Sequence, residues 1–149
     1  MDQKRLPKEV EAWRQLLLCQ SRIVRRVDRE LLQQNRVPLT FYDVLLNLRY
    51  APNQQLRFRD LNGQIVLTRS ALSRCIDKMN AAGLVDKLEC PEDPRGLVIR
   101  LTSRGLNASR AAWPIYREQI TKLFGRHFAI DELEALISRF SSINQQLPD

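Results

Sequence analysis

The sequence is poor in the residues on which catalysis and metal binding depend. Its 149 residues include one histidine and three cysteines (Cys19, Cys75 and Cys90), and no two cysteines have the C-x-x-C spacing. Metal ligation and nucleophilic catalysis need clusters of such side chains. No Gly-rich phosphate loop and no Ser/His/Asp set is present either. We therefore expect neither an enzyme nor a metal or other cofactor.

Disulfide bonds, a membrane span and a secretory signal are not expected either. Three cysteines are an odd set for a disulfide framework, which favours a reducing cytoplasm. No apolar run approaches the roughly 18 residues that a membrane helix needs. The N-terminal sequence MDQKRLPKEVEAW is charged and has no apolar signal-peptide core. We expect a cytoplasmic protein without membrane contact.

An excess of basic residues is the main feature of the composition. Lysine and arginine number 24 against 17 aspartates and glutamates, and the resulting formal charge of +7 is spread along the chain. A basic surface attracts nucleic acid phosphates. It is also common in proteins that bind no nucleic acid, so charge alone leaves both interpretations open.

Apolar residues at helical spacing predict long helices at both ends of the chain. Residues 8–34 form one predicted helix, whose apolar arc is wide enough to pack on two sides. Thr102 or Ser103 is expected to cap a second long helix, kinked at Pro114, and Asp131 to cap the last helix. The apolar stripes are Val10, Trp13, Leu16, Leu17, Ile23, Val24, Val27 and Leu31, then Leu106, Trp113, Tyr116, Ile120, Leu123 and Phe124, then Leu133, Leu136, Ile137 and Phe140.

The middle of the chain, residues 37–102, predicts a helix-turn-helix followed by a β-hairpin. One helix starts near Thr40 and stops before Pro52, and a short helical segment follows around LRFRDLNG. Thr68 is the expected N-cap of the next helix, RSALSRCIDKMNAA, which Gly83 closes. The runs LVDKLE and GLVIRL predict two strands joined by a turn with the sequence Pro-Glu-Asp-Pro-Arg-Gly. The predicted fold class is mainly α with a small β-hairpin wing, in a single domain of residues 1–149.

The helix after Thr68 is suited to the major groove of double-stranded DNA. Its N-terminus favours phosphate, and Arg69 and Arg74 have the reach for guanine edges or phosphates. An ordinary solvated helix face would carry similar residues. The expected DNA-binding residues are Arg57, Thr68, Arg69, Ser70, Ser73, Arg74, Lys78, Asp93 and Arg95.

The hairpin turn favours the DNA-binding interpretation. An arginine on a rigid turn can enter the minor groove, where the potential is most negative. A neighbouring aspartate can hold the guanidinium by a forked, charge-assisted pair. We therefore expect Arg95 to contact the minor groove and Asp93 to orient its guanidinium.

The segment LRFRDLNGQIVLTRSALSRCIDKMNAAGLVDKLECPEDPRGLVIRLTSRG, residues 56–105, resembles the MarR family of bacterial transcription regulators. The strongest matches are AAGLV after the predicted recognition helix and DPRGLVIRLTSRG through the wing. The resemblance implies a winged helix-turn-helix lobe at residues 37–102, with dimerisation helices at residues 1–35 and 103–149. It also implies a homodimer that binds a palindromic site, typically as a repressor.

The resemblance further implies that a small aromatic effector releases the DNA. Such a ligand would occupy a crevice between the dimer helices and the DNA-binding lobe, where an arginine could meet a carboxylate. The candidate wall residues are Trp13, Arg14, Leu17, Phe41, Tyr42 and Trp113. Core packing, together with one surface arginine, is the alternative explanation of the same residues.

Two other functions are compatible with the same sequence. The winged helix could be a protein-binding adaptor or antirepressor without specific DNA binding, which internal ion pairs at Arg69, Arg74 and Arg95 would favour. Some relatives sense oxidants through a cysteine, and Cys90 in the wing is the best candidate here. The acidic residues around Cys90 disfavour its thiolate and hence that role.

Overall fold

The computed structural model describes residues 5–147, which contain six α-helices and three β-strands. In chain order they are α1 (Lys8–Gln33), α2 (Leu39–Tyr50), β1 (Gln55–Arg57), α3 (Phe58–Asn62), α4 (Arg69–Ala81), β2 (Val85–Cys90), β3 (Asp93–Leu101), α5 (Ser103–Leu123) and α6 (Ile130–Gln146). Within that range, no helix combines the length and apolarity needed to span a membrane. The predicted fold class, mainly α with a small wing, is confirmed.

The sheet has three antiparallel strands in the order β1-β3-β2, whereas the sequence predicted only a hairpin. β1 takes the place of the start of the helical segment predicted around LRFRDLNG, so this part of the prediction was wrong. Leu56 pairs with Ile99 of β3, and α3 begins only at Phe58. Pairing with a strand far later in the chain outweighs the local helix propensity of this segment.

The main hydrophobic core lies inside the lobe formed by α2, α3, α4 and the sheet. Leu72, Ile76 and Met79 point inward from α4, as the helical spacing predicted. They pack against fully buried residues of α2, α3 and the sheet: Val44, Leu45, Leu48, Leu61, Val85 and Ile99. This core fixes the orientation of α4 relative to the wing.

A second, smaller core joins the C-terminal half of α1 to α2 and α5. It contains Val27, Leu31, Tyr42, Ala112 and Ile115. α2 begins at Leu39, one residue before the expected Thr40, and the Leu39 N–H donates a hydrogen bond to Asp28 Oδ1 of α1 at 2.8 Å. That bond satisfies one of the free N–H groups at the start of the helix.

The N-terminal half of α1 and the whole of α6 do not pack into either core. Trp13 is 58% exposed, and none of the residues of α6 is buried. Ile137 and Phe140, predicted to face inward, are 66% and 40% exposed. The amphipathic patterns therefore form helices whose apolar sides remain open in the single chain.

The junction between the lobe and α5 is held by the side chain of Thr102. Its hydroxyl oxygen lies 2.7 Å from the Gly83 carbonyl and 2.9 Å from the Leu84 carbonyl, so one hydrogen is shared between them. The same oxygen accepts a hydrogen bond from the Gly105 N–H at 3.0 Å and caps α5. A Cβ on Gly105 would collide with the Leu84 carbonyl, so this close approach requires glycine. α5 therefore starts in direct contact with the first residues of the wing.

The start of the last helix differs from the prediction. Ala129 is the N-cap of α6, and Asp131 lies within its first turn. Glu132 Oε2 accepts a hydrogen bond from the Ala129 N–H at 2.8 Å, which is the contact that defines this end. Asp131 remains favourable there because its charge opposes the positive end of the helix dipole.

Candidate nucleic-acid interface

Helix α4, the predicted recognition helix, starts as the sequence predicts. The Thr68 hydroxyl accepts a hydrogen bond from the Ala71 N–H at 3.2 Å and caps the helix. Gly83, just beyond the helix, has a φ of +72°, which suits a glycine at this end. The apolar side of α4 is buried in the lobe, so the polar side is left to solvent. The exposed residues on that side are Arg69, Ser70, Ser73, Arg74 and Lys78.

The wing turn consists of Pro91 and Glu92 only, which corrects the predicted six-residue turn. Cys90 pairs with Asp93, whereas Glu89 pairs with Leu97, so the strand β3 carries extra residues at this point. Arg95 lies in this irregularity, on β3 and not in the turn itself. Bulges of this kind redirect side chains next to functional surfaces, and Arg95 is exposed.

Asp93 contacts Arg95 through the backbone, which corrects the predicted pairing with the guanidinium. Asp93 Oδ1 accepts a hydrogen bond from the Arg95 N–H at 3.0 Å. An aspartate bonded to the N–H two residues later stabilises a local bend of the chain. Asp93 therefore holds the backbone at Arg95 and leaves the guanidinium free of that carboxylate.

A cleft of about 870 Å³ separates the start of α4 from the wing. It brings together most of the DNA-binding residues predicted from the sequence. It also includes Phe58 and Arg59, the first residues of α3. The sequence did not indicate them as site residues, because the start of this helix is shifted by β1. Arg74 and Lys78 lie farther along α4. The cleft is lined by Arg57, Phe58, Arg59, Thr68, Arg69, Ser70, Ser73, Cys90, Asp93, Arg95, Gly96 and Leu97.

The arginines of this surface differ in their partners. Arg57 Nη2 lies 2.8 Å from Glu92 Oε2 in the wing turn. The Arg69 guanidinium lies over the Phe58 ring, 6.0 Å from its centroid. Within residues 5–147, no acidic side chain forms an ion pair with Arg69, Arg74 or Arg95. These three cations are thus available to an external anion.

Cys90, the redox candidate, is buried with only 6% of its surface exposed. A Cβ on Gly96 would lie 2.9 Å from the Cys90 Cβ, so the side chain packs tightly against the bulge of β3. Cys75 is also buried, and burial raises the pKa of its thiol. Cys19 is exposed on α1. A buried thiol at the wing is poorly accessible to a dissolved oxidant.

The six predicted effector residues do not form one pocket in the chain. Tyr42 is fully buried, and its ring centroid lies 4.7 Å from that of Tyr116, which in turn lies 6.3 Å from that of Trp113. Arg14 lies in a different groove, on the N-terminal half of α1. Along α1, Arg14 is about 20 Å from Val27, the residue at which this helix reaches the Tyr42 cluster. The single chain therefore places Arg14 apart from the Tyr42 cluster, and the effector wall stays a prediction.

Asp43, a neighbour of Tyr42 on α2, has an unusual environment that the sequence did not indicate. Burial raises the pKa of its carboxyl from 3.8 to about 6. The pKa of Tyr116 is also raised, first by burial and then by the charge of Asp43. A carboxyl group thus lies close to the α2–α5 contact without an ion-pair partner in residues 5–147.

Comparison with known proteins places this geometry in context. Residues 37–97 match the model of the MarR family. None of the curated proteins matches the sequence. The solved structure of AbsC, a MarR family transcriptional regulator from Streptomyces coelicolor, is similar with 26% identity and a TM-score of 0.82, over 95% of this chain and 96% of that one.

Two further solved structures show the same fold. Sco3205, a MarR family transcriptional regulator from Streptomyces coelicolor in complex with DNA, has 23% identity and a TM-score of 0.85, over 98% of this chain and 92% of that one. The organohalide sensing RdhR-CbdbA1625 transcriptional regulator in its 2,4-dichlorophenol bound form has 17% identity and a TM-score of 0.77, over 97% and 84%.

Proposed function

We propose that the chain is a transcription regulator of the MarR family, because residues 37–97 match the model of that family. It binds a specific palindromic DNA site as a homodimer and represses transcription. The observation that carries this proposal is the cleft between α4 and the wing. Arg69 lines it from α4 and Arg95 from the wing, and within residues 5–147 neither forms an ion pair with an acidic side chain. A surface that collects cations in this way is suited to a polyanion.

In the proposed complex, the N-terminal part of α4 enters the major groove. Thr68 and Ser70 bond phosphates at the helix N-terminus, and Arg69, Ser73 and Arg74 contact base edges or phosphates. Arg57 and Lys78 contact the backbone on either side. Arg95 enters the minor groove from the bulge of β3, and Asp93 fixes the backbone from which it projects.

The homodimer would form through the open apolar sides of α1, α5 and α6. Trp13 and Ile137 belong to helices whose apolar residues find too few partners in the single chain. Large exposed apolar patches mark interaction surfaces. A second copy would supply the missing contacts and place two lobes on one duplex, as two half-sites require.

Release by a small aromatic effector is a further part of the proposal. The similar RdhR-CbdbA1625 regulator holds 2,4-dichlorophenol. Of the six wall residues, Phe41, Tyr42 and Trp113 lie on α2 and α5, which pack against each other. We retain these three as the effector wall. Arg14, Trp13 and Leu17 could join it only from another part of an assembly.

The adaptor alternative loses its main support. It required Arg69, Arg74 and Arg95 to be neutralised internally, and within the described residues they form no ion pair. Redox regulation through Cys90 is disfavoured by its burial.

Selection of bound duplexes from a random DNA pool tests the proposed function. We expect an enriched inverted repeat with half-sites about one helical turn apart. The logarithm of the affinity should fall with the logarithm of salt concentration, with a slope of about −0.9 per phosphate contact. Failure to enrich any sequence, with only weak binding to all duplexes, would favour the adaptor instead.

A pair of matched variants then locates the interface. Arg95→Ala should weaken binding to the selected site, whereas Arg126→Ala removes another exposed cation, from the segment after α5, and should have little effect. An equal loss of affinity in both variants would show that Arg95 contributes only through the net charge of the protein.

A further inference from the structure

The ion pair between Arg57 and Glu92 lies on the wing side of the cleft, where Arg57 belongs to the lining. Arg57 ends β1 and precedes α3, and Glu92 lies in the turn of the wing. The two residues are 35 positions apart in sequence, yet Arg57 Nη2 and Glu92 Oε2 are 2.8 Å apart. The pair therefore joins β1 to the wing turn, and it engages an arginine of the cleft into which we propose that the DNA backbone fits.

This ion pair is easily exchanged. Glu92 is 80% exposed and Arg57 is 38% exposed. A pair so accessible to water contributes little to folding stability, because both charges are well solvated when apart. A role in holding the fold together is thus a weak explanation for its presence.

A phosphate would satisfy the same guanidinium in the same way. Carboxylate and phosphate groups both present oxygen atoms that accept hydrogen bonds from the parallel N–H groups of arginine. In the free protein, the Glu92 carboxylate thus occupies the position on Arg57 that a phosphate oxygen would take.

We propose that Glu92 is a built-in competitor of DNA. Resting on the function proposed above, this inference assigns Glu92 as the residue that limits affinity at Arg57. Binding of a duplex requires the carboxylate to leave Arg57, and a phosphate replaces it. The displaced charge then remains near the DNA backbone and repels it. Since phosphates are common to all sequences, this competition weakens binding to every duplex.

The opposite role for the pair leads to an opposite result. If the contact with Arg57 held the wing in the orientation that DNA needs, its loss would weaken binding. Glu92→Gln distinguishes the two roles, because the amide keeps the size of the side chain and removes only its charge. The substitution is at an exposed turn, and unfolding in urea should confirm unchanged stability.

The experiment measures the affinity of the full chain for the selected duplex and for a scrambled duplex across a range of salt concentrations. We expect Glu92→Gln to bind both duplexes about 3–10 times more tightly near 0.15 M salt, with a salt slope steeper by about 0.9, equivalent to one more phosphate contact. In an Arg57→Ala background, the same substitution should give a clearly smaller gain, because only the repulsion by the free carboxylate is then removed and no competition at Arg57 remains.

Asp86→Asn provides the matched control. It removes one acidic charge from the same sheet and breaks the exposed pair between Asp86 and Arg100, whose atoms are 3.0 Å apart. Neither residue lines the cleft. We expect its affinity to stay within about twofold of the original protein, because the change in net charge is the same but no cleft arginine is released.

Several results would overturn the inference. Weaker binding by Glu92→Gln, no change, or an equal gain in the Arg57→Ala background would each exclude competition at Arg57. If the original protein binds duplexes while Glu92→Gln behaves identically, only this inference fails. If neither protein binds any duplex, the proposed function fails and the inference fails with it.

Discussion

The lobe formed by α2, α3, α4 and the sheet uses apolar residues in a different way from the helical arms α1 and α6. In the lobe, Leu61, Leu72 and Met79 are fully buried within one chain. In α6, a comparable apolar stripe contains no buried residue, and the first half of α1 is similar. The lobe thus has a complete core, whereas the arms carry apolar surface that is open in the single chain. An amphipathic helix pattern predicts a helix in both cases, but it does not say which chain covers the apolar side.

The largest expected effect is at the junction where α5 leaves the lobe. Gly105→Ala should lower the free energy of unfolding by about 3 kcal/mol, because the new methyl group collides with the Leu84 carbonyl, a backbone atom that cannot move aside cheaply. Urea unfolding measures the loss. Gly125→Ala is the control, because its Cβ would meet nothing closer than the Ile120 carbonyl at 3.8 Å. Equal stabilities of the two variants would show that the junction is looser than described.

A charge on the apolar side of α6 should affect the assembly of the protein and leave the folding of the lobe unchanged. Phe140→Asp should shift the assembly from dimer toward monomer in sedimentation experiments, since a buried carboxylate without a partner is costly at an apolar interface. The helical content of the lobe should remain. Ser138→Asp adds the same charge on the polar side of α6 and should leave the mass unchanged. A dimer that tolerates Phe140→Asp would place the interface elsewhere.

The smallest expected effect concerns the pH dependence of the lobe. The folded pKa of Asp43 is about 6, above its ordinary value of 3.8, so the folded state holds this proton more tightly than the unfolded state. The stabilising contribution is complete below about pH 4 and is lost as pH rises through about 6. Because the side chain is partly exposed, we expect the loss to be about 1–2 kcal/mol.

Asp43→Asn tests this dependence. The fall in unfolding free energy between pH 4 and pH 7 should be smaller in the variant than in the original protein by that amount. The variant should retain its dimer mass, because Asp43 belongs to the lobe and not to the open sides of the arms. Parallel pH curves for the two proteins would contradict the prediction.

The features that could be predicted from the sequence are those specified locally. Thr68 caps α4 through a hydrogen bond three residues away, and the inward positions of Leu72 and Ile76 follow from the helical repeat. Such contacts lie within one turn of the chain, so composition and spacing are sufficient to predict them. The exposed basic side of α4 follows from the same repeat.

The features that were missed depend on distant parts of the chain. β1 exists because Leu56 meets Ile99, a partner that no local pattern reveals. The position of Arg95 follows from the register of β2 and β3. Because this register shifts between Glu89 and Cys90, Arg95 lies in a bulge of β3 and not in the predicted turn. The contact between Arg57 and Glu92 depends on both, since it joins the missed strand to the shortened turn.

The order of strands in the sheet has a consequence for solubility. β3 is central, so only β1 and β2 present backbone groups that could pair with a strand of another molecule. β1 has three residues, and β2 carries Asp86, Lys87 and Glu89 along its length. Short strands and charged strands are poor templates for edge-to-edge association. Wings of molecules crowded along one duplex should therefore resist joining into a continuous β-sheet, which would lead to aggregation.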